Sequence, residues 1–224
     1  MLDVISGTLT SAIAIAISPI PIIAVILMLM TPRATRLGVS FLLGWFLGIA
    51  VATTATALLS GIVPEPTTDG AQPVLGVIML LLGAGLLFLG WRQWRSRPAP
   101  GVTAELPAWM AKIDGLRAPA AFGLAFALAA VNPKNLLVAA SAGAVIGRSA
   151  LSTGEFLIVV VVFSAVAALT VLLPVLTALV LPRLAVKALD GIRGWLTDNN
   201  AVIMTVLLAV IGVNVLGKGL GMFA

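Results

Sequence analysis

Long apolar stretches alternate with short polar stretches along most of the chain. Six of them dominate the pattern: residues 5–30, 37–62, 74–91, 119–147, 154–181 and 200–222. A helix needs roughly 20 apolar residues to cross a bilayer, and the six stretches lack the alternation of polar and apolar residues that is typical of membrane β-strands. The pattern therefore predicts an all-α integral membrane protein with six transmembrane helices.

Two of these helices contain a polar break with proline near the centre. The first is interrupted at Ser18-Pro19-Ile20-Pro21, and the fourth at Asn132-Pro133-Lys134-Asn135. Serine and asparagine are favourable N-cap residues, and proline is best tolerated at the first helical position, where its missing N–H costs least. Each break therefore predicts a new half-helix that begins inside the membrane.

The matching breaks divide the chain into two halves. Six helices form two sets of three, and an odd number of helices in each set places the two sets in opposite orientations. We therefore predict two inverted three-helix repeats, residues 1–95 and residues 119–224, with the first and fourth helices broken at midplane prolines. Residues 96–118 form a cytoplasmic linker between them.

Two further segments mix apolar residues with cations. Residues 106–113 of the linker are expected to form a short interfacial helix beside Lys112, and residues 183–195 a second surface segment. Amphipathic helices of this kind lie in the plane of the membrane surface.

The positions of Lys and Arg predict the orientation of the protein. The turn after the first helix holds two of these residues, the loop after the third holds five, and the loop after the fifth holds three. The opposite side holds only Arg148 and Lys218. Because cytoplasmic loops are rich in Lys and Arg, both termini are expected outside. The first apolar segment has no cationic side chain before it, so we expect a retained helix rather than a signal peptide.

The composition excludes several functional classes. Apolar residues make up 61% of the chain and charged residues 9%, and Cys and His are absent. We expect neither enzymatic activity nor a bound cofactor or metal, because these residues supply no nucleophile–base pair, metal cluster or phosphate-binding glycine loop. The net charge of +5 reflects membrane topology; no nucleic-acid partner is expected.

Lys134 is the candidate functional residue with the clearest physical rationale. A lysine at the centre of a membrane helix costs roughly 2.5–3.5 kcal/mol, and helix N-termini attract anions. We therefore expect the two breaks to form a substrate-binding site for a polar or anionic group. An alternative is a structural Lys134, bonded to helix-end carbonyl groups or to Asn214. The candidate substrate-binding residues are Ser18, Pro19, Pro21, Asn132, Pro133, Lys134, Asn135 and Asn214.

Pairs of glycines separated by three residues occur twice. Gly44 and Gly48 form one pair, and Gly143 and Gly147 form the other. Small residues at this spacing allow close approach of membrane helices. Packing within one protomer and the face of a homodimer both remain open.

Several long motifs resemble the glycopeptidolipid- and sulfolipid-addressing proteins of mycobacteria and their relatives, in the lysine-exporter superfamily. The resemblance covers nearly the whole chain. The motifs that carry it are Ser18-Pro19-Ile20-Pro21-Ile22-Ile23, Thr31-Pro32-Arg33-Ala34, Phe41-Leu42-Leu43-Gly44-Trp45, Leu106-Pro107-Ala108-Trp109-Met110, Asn132-Pro133-Lys134-Asn135-Leu136-Leu137 and Asn199-Asn200-Ala201-Val202-Ile203-Met204.

The resemblance implies a protein of the bacterial plasma membrane that helps to move a cell-envelope lipid or glycolipid toward the surface. The lipid headgroup would lie between the two half-helix N-termini, and lipid-synthesis or export machinery would be a partner. Two alternatives remain. One is an exporter of a small polar metabolite or a cation, such as an amino acid. The other is a scaffold without transport activity that binds lipid-synthesis machinery.

Overall fold

The computed structural model describes residues 1–62, 73–97, 113 and 115–223, and all regular secondary structure in these ranges is helical. The predicted interfacial helix at 106–113 lies outside the described residues, except for Ile113. The helices are α1 (Leu2–Ala16), α2 (Pro19–Leu29), α3 (Ala34–Ile62), α4 (Pro73–Arg95), α5 (Ala118–Ala130), α6 (Pro133–Gly147), α7 (Thr153–Ala167), α8 (Leu169–Val180) and α9 (Pro182–Gly221).

The first predicted break separates α1 from α2, which are bent by 59°. Ser18 has an extended backbone and occupies the N-cap position of α2, and Pro19 begins the helix. Extended geometry suits the residue before a proline, because the ring disfavours a helical conformation there. The prediction of a half-helix that begins at Pro19 is confirmed.

The second predicted break separates α5 from α6 with a bend of 63°. The Asn132 side chain accepts a hydrogen bond from the backbone N–H of Lys134 at 3.0 Å, and Pro133 begins α6. This is an N-cap that pairs one of the first N–H groups of a helix. The prediction of a second half-helix at Pro133 is also confirmed.

A third bend, which the sequence analysis does not predict, separates α7 from α8 by 68°. It lies at Ala168, within the stretch predicted as one continuous helix at 154–181. Pro174 lies inside α8 and has no N–H for the carbonyl group of Thr170, which weakens the helix in the turn after the bend. Ala167 and Ala168 are both buried, so their small side chains allow close packing at this point.

The helices are those of a membrane protein. Within the described residues, Ala34–Ser60 and Ala188–Gly221 are each long and apolar enough to cross a membrane, and the three bent pairs raise the number to as many as five. The predicted surface segment at 183–195 is continuous with the last predicted span, because both lie in the 40-residue helix α9.

The chain divides into two compact units, and the first comprises Met1–Val63 and Leu106–Leu196. In this unit α3 runs alongside α5 and α6 in the same direction. Gly44 packs against Phe122 and Gly48 against Phe126. Further along, Thr56 Oγ1 donates a hydrogen bond to the carbonyl oxygen of Ala139 at 3.0 Å. Both glycine pairs therefore pack within one protomer: Gly44 and Gly48 bring α3 close to the backbone of α5, and Gly143 and Gly147 bring α6 close to the backbone of α3.

The second compact unit comprises Pro64–Glu105 and Thr197–Ala224. Here α4 packs antiparallel to the last part of α9, since Gly83 contacts Leu216 and Gly90 contacts Leu208. Each unit combines segments from both predicted halves of the sequence, so the spatial division does not follow the proposed repeat boundary.

We expect Gly44→Ala to lower the melting temperature of the protein in detergent. A Cβ atom at Gly44 would meet the carbonyl oxygen of Phe122, which is backbone and cannot move independently of α5. Overpacking of this kind costs about 1–3 kcal/mol. Gly123→Ala on α5 is the control, because no atom of another helix lies within 4 Å of its Cβ position. Equal melting temperatures for the two variants would contradict the close α3–α5 packing.

Candidate functional site at the helix breaks

Lys134 lies in the first turn of α6 and is only 2% exposed. Its ammonium group donates hydrogen bonds to the carbonyl oxygens of Ala14 at 3.0 Å and Ile17 at 3.2 Å, and to Ser18 Oγ. A lysine ammonium has three N–H donors, so each of its donors has a partner within the protein. The side chain therefore ties the start of α6 to the end of α1 and to the N-cap of α2.

The partners of Lys134 are available because α1 ends at Ala16. The last four carbonyl groups of a helix have no partner within that helix, and they carry the negative end of the helix dipole. A buried ammonium without partners would be costly. The break in the first helix thus supplies the oxygen atoms that stabilise the charge of Lys134. This is the helix-end alternative considered from sequence, and Asn214 is not among the partners.

A second side chain closes the same helix end from α8. Thr170 Oγ1 donates a hydrogen bond to the carbonyl oxygen of Ala16 at 2.6 Å. Lys134 follows the α5–α6 bend and Thr170 follows the α7–α8 bend, and both side chains bond to carbonyl groups at the end of α1. All three bends therefore meet at the end of α1. Sequence reasoning missed Thr170, because its partner is distant in the sequence. Pro174, four residues later, affects the carbonyl group of Thr170 and not the hydroxyl group that makes this bond.

Asn135 closes the other broken helix. Its side chain is 1% exposed, and Nδ2 donates a hydrogen bond to the carbonyl oxygen of Leu128 in the last turn of α5 at 3.2 Å. The adjacent residues Lys134 and Asn135 therefore pair with carbonyl groups of two different helices. Asn135 Oδ1 is buried and has no hydrogen-bond partner.

The prolines reduce the number of backbone donors at the two half-helix N-termini. Pro19, Pro21 and Pro133 have no N–H, and the N–H of Lys134 is bonded to Asn132. The N-termini therefore present fewer N–H groups than an ordinary anion-binding helix start. The Lys134 side chain is consequently the principal source of positive charge at the breaks.

The predicted site residues fall into two groups. Seven of them belong to the first compact unit. These are Ser18, Pro19 and Pro21 at one break, and Asn132, Pro133, Lys134 and Asn135 at the other. The bond between Lys134 and Ser18 joins these two breaks directly. Asn214 belongs to the second compact unit, where its side chain is exposed. Within the described ranges, no group of three His, Cys, Asp or Glu residues could hold a metal ion.

Comparison with known proteins identifies the family of the chain. The family model described as Sap, sulfolipid-1-addressing protein, matches residues 9–221. The chain belongs to this family. Neither the curated proteins nor the solved structures contain a match to the chain.

The matched range of the sulfolipid-1-addressing family includes all the breaks and the side chains that close them. Lys134 is the only charged side chain among the buried residues of the described part of this family member. Its contacts stabilise the closed arrangement of α1, α2 and α6. For the ammonium to bind an external anion, it must exchange at least one of its present oxygen partners, because all its donors are in use.

We expect Thr170→Val to destabilise the protein by about 1 kcal/mol, the typical net contribution of one hydrogen bond. The substitution removes the bond from α8 to the carbonyl oxygen of Ala16 with little change in side-chain shape. Thr177→Val on the same helix is the matched control, because Thr177 Oγ1 bonds only to Leu173 within its own helix. Thermal unfolding in detergent would measure both. A larger loss for Thr177→Val would contradict a cross-helix role for Thr170.

Proposed function

We propose that the protein is a membrane transporter that helps to move a cell-envelope lipid or glycolipid, with an anionic or polar headgroup, across or out of the plasma membrane. The observation that carries the proposal is the meeting of three broken helices at the end of α1, where the buried Lys134 and Thr170 both bond to its carbonyl groups. Discontinuous helices that meet in the protein interior are a recurrent feature of transporter binding sites. Membership of the sulfolipid-1-addressing family supports a lipid as the substrate.

The headgroup would bind by exchange with the present partners of Lys134. A sulfate or phosphate group offers oxygen atoms with more negative charge than a carbonyl oxygen, and charge-assisted hydrogen bonds are roughly twice as strong as neutral ones. When Lys134 turns to the headgroup, the carbonyl groups of Ala14 and Ile17 lose their link to α6. Ligand binding would thereby favour a second arrangement of the half-helices, as alternating access requires.

Helix directions within the first compact unit support a six-span arrangement. α3 and α6 run in the same direction, because Thr56 contacts Ala139 and Ser60 contacts Gly143. Successive spans alternate in direction, so two parallel spans must be separated by an odd number of spans. The 23-residue helix α4 is the segment between them. We therefore propose that α4 crosses the membrane between α3 and α5.

The same reasoning supports the rest of the predicted topology. α1 and the α7–α8 pair run in the same direction, because Val4 near the start of α1 packs against the cluster that contains Val159 of α7, while Ala16 at the end of α1 bonds to Thr170 of α8. α1 and α6 run in opposite directions, because Lys134 bonds to Ala14 while Val145 lies beside Gly7. These directions fit first and fifth spans that run inward and a fourth span that runs outward. Two inverted repeats with both termini outside are part of the proposal.

Comparative lipidomics of surface-extracted and whole-cell lipids tests the function. We expect deletion of the protein and Lys134→Met to remove the same lipid class from the surface, with accumulation inside the cell. Arg148→Met is the control, because this exposed cation also loses its charge but lies outside the breaks. Immunoblotting of the membrane fraction must show equal amounts of each variant. Thr170→Val is a further variant, which removes one hydrogen bond at the end of α1 and leaves Lys134 in place.

Other results would contradict the role of Lys134 or lipid transport itself. Normal surface lipids with Lys134→Met at full abundance would contradict the role of Lys134. Normal surface lipids in the deletion strain would contradict lipid transport and favour export of a small polar metabolite or cation, which amino-acid and cation flux assays would detect. A scaffold would require residues 98–118 and tolerate Lys134→Met. Loss of function after scrambling of residues 98–118, together with normal function of Lys134→Met, would therefore favour the scaffold over transport.

A further inference from the structure

The C-terminal end of α4 carries tryptophan and arginine side chains on its surface. Trp91 and Trp94 are 53% and 43% exposed, and Arg95 and Arg97 are exposed beside them. Arginine near a helix C-terminus is favourable by itself, because it faces the negative end of the helix dipole. That interaction does not account for two large indole rings at the surface.

Each arginine is paired with one of the tryptophans. Arg97 Cζ lies 3.8 Å from the centre of the Trp94 ring, and Arg95 Cζ lies 5.2 Å from the centre of the Trp91 ring. A guanidinium over an indole ring gains a cation–π interaction. Its N–H groups lie in the plane of the guanidinium and thus remain able to bind a further acceptor. Among the residues that the structure describes, one of these groups has a partner: Arg97 Nη1 donates to the carbonyl oxygen of Trp94 at 3.3 Å.

Within the described part of the chain, no carboxylate neutralises the positive charge of this pair of arginines. Neither Arg95 nor Arg97 forms an ion pair with any residue that the structure describes. In the second compact unit, Thr205 of α9 bonds to Gly90, and the antiparallel packing places Asp198 toward the same end of α4. Asp198 is exposed and forms no ion pair with either arginine. The two guanidinium groups, each over an indole ring, are therefore not paired with a carboxylate of the described residues.

We infer that Trp91, Trp94, Arg95 and Arg97 form a binding site for the headgroup of an anionic phospholipid. Tryptophan is enriched at the level of the headgroups at the ends of membrane helices. Arginine binds phosphate in a bidentate manner, and cations beside a membrane helix attract anionic lipids. The indole rings hold each guanidinium in place while its N–H edge meets the phosphodiester. This inference rests on the membrane crossing of α4 that is part of the proposed function, but it does not depend on lipid transport.

Native mass spectrometry of the purified full-length protein in neutral detergent tests the site. Phosphatidylglycerol and phosphatidylcholine with the same acyl chains are the two probes, and the dissociation constant of the first bound lipid is measured for each. We expect the wild type to prefer phosphatidylglycerol, and Arg95→Gln/Arg97→Gln to reduce that preference by about tenfold, since each surface cation contributes about fivefold or less. Binding of phosphatidylcholine should change little.

Two comparison variants separate a built site from general charge attraction. Arg33→Gln/Arg36→Gln removes the same number of exposed arginines, one from the turn before α3 and one from the first turn of α3, and should keep the preference. Trp91→Leu/Trp94→Leu keeps every charge. This variant should lose part of the preference for phosphatidylglycerol, because the guanidinium groups no longer stack on indole rings. Equal losses in the two arginine variants, an unchanged preference after loss of both tryptophans, or no preference in the wild type would overturn the inference.

Discussion

A helix that ends inside a membrane protein leaves carbonyl groups that must find hydrogen-bond donors, because neither lipid nor apolar side chains supply any. At the end of α1 the donors come from Lys134 of α6 and Thr170 of α8. At the end of α5 the donor is Asn135. This requirement explains why polar side chains, including a buried cation, lie at the bends. It also joins helices that are distant in sequence into one compact unit.

The bonds that stabilise the breaks are also the bonds that a transported headgroup would replace. Lys134 is buried with each donor in use, so an anion gains access only when part of this closed arrangement opens. The neighbouring α3 differs: it is continuous from Ala34 to Ile62, and glycines bring its backbone against α5 and α6. A continuous helix beside broken ones would provide a fixed frame for the half-helix movement that the proposed transport requires.

The two positively charged features of the protein have different chemistry because their surroundings differ. Lys134 is enclosed by helix-end oxygens and lies at the negative end of a helix dipole, which stabilises its charge. Arg95 and Arg97 are exposed, stacked on indole rings and free of ion pairs with the described residues. The first arrangement suits a ligand that must displace existing partners, and the second suits a lipid that binds from the surrounding membrane.

The membrane class and the two breaks at Pro19 and Pro133 are predictable from the sequence, because apolar length, N-caps and the missing N–H of proline act within a few neighbouring residues. The direction of the Lys134 ammonium is a property of the packed structure, since its partners lie more than a hundred residues away at the end of α1. Thr170 was missed for the same reason, and the bend at Ala168 lacks the polar break that marked the other two. A hydrogen bond between distant helices depends on which carbonyl groups the packing brings near, and local sequence does not encode that.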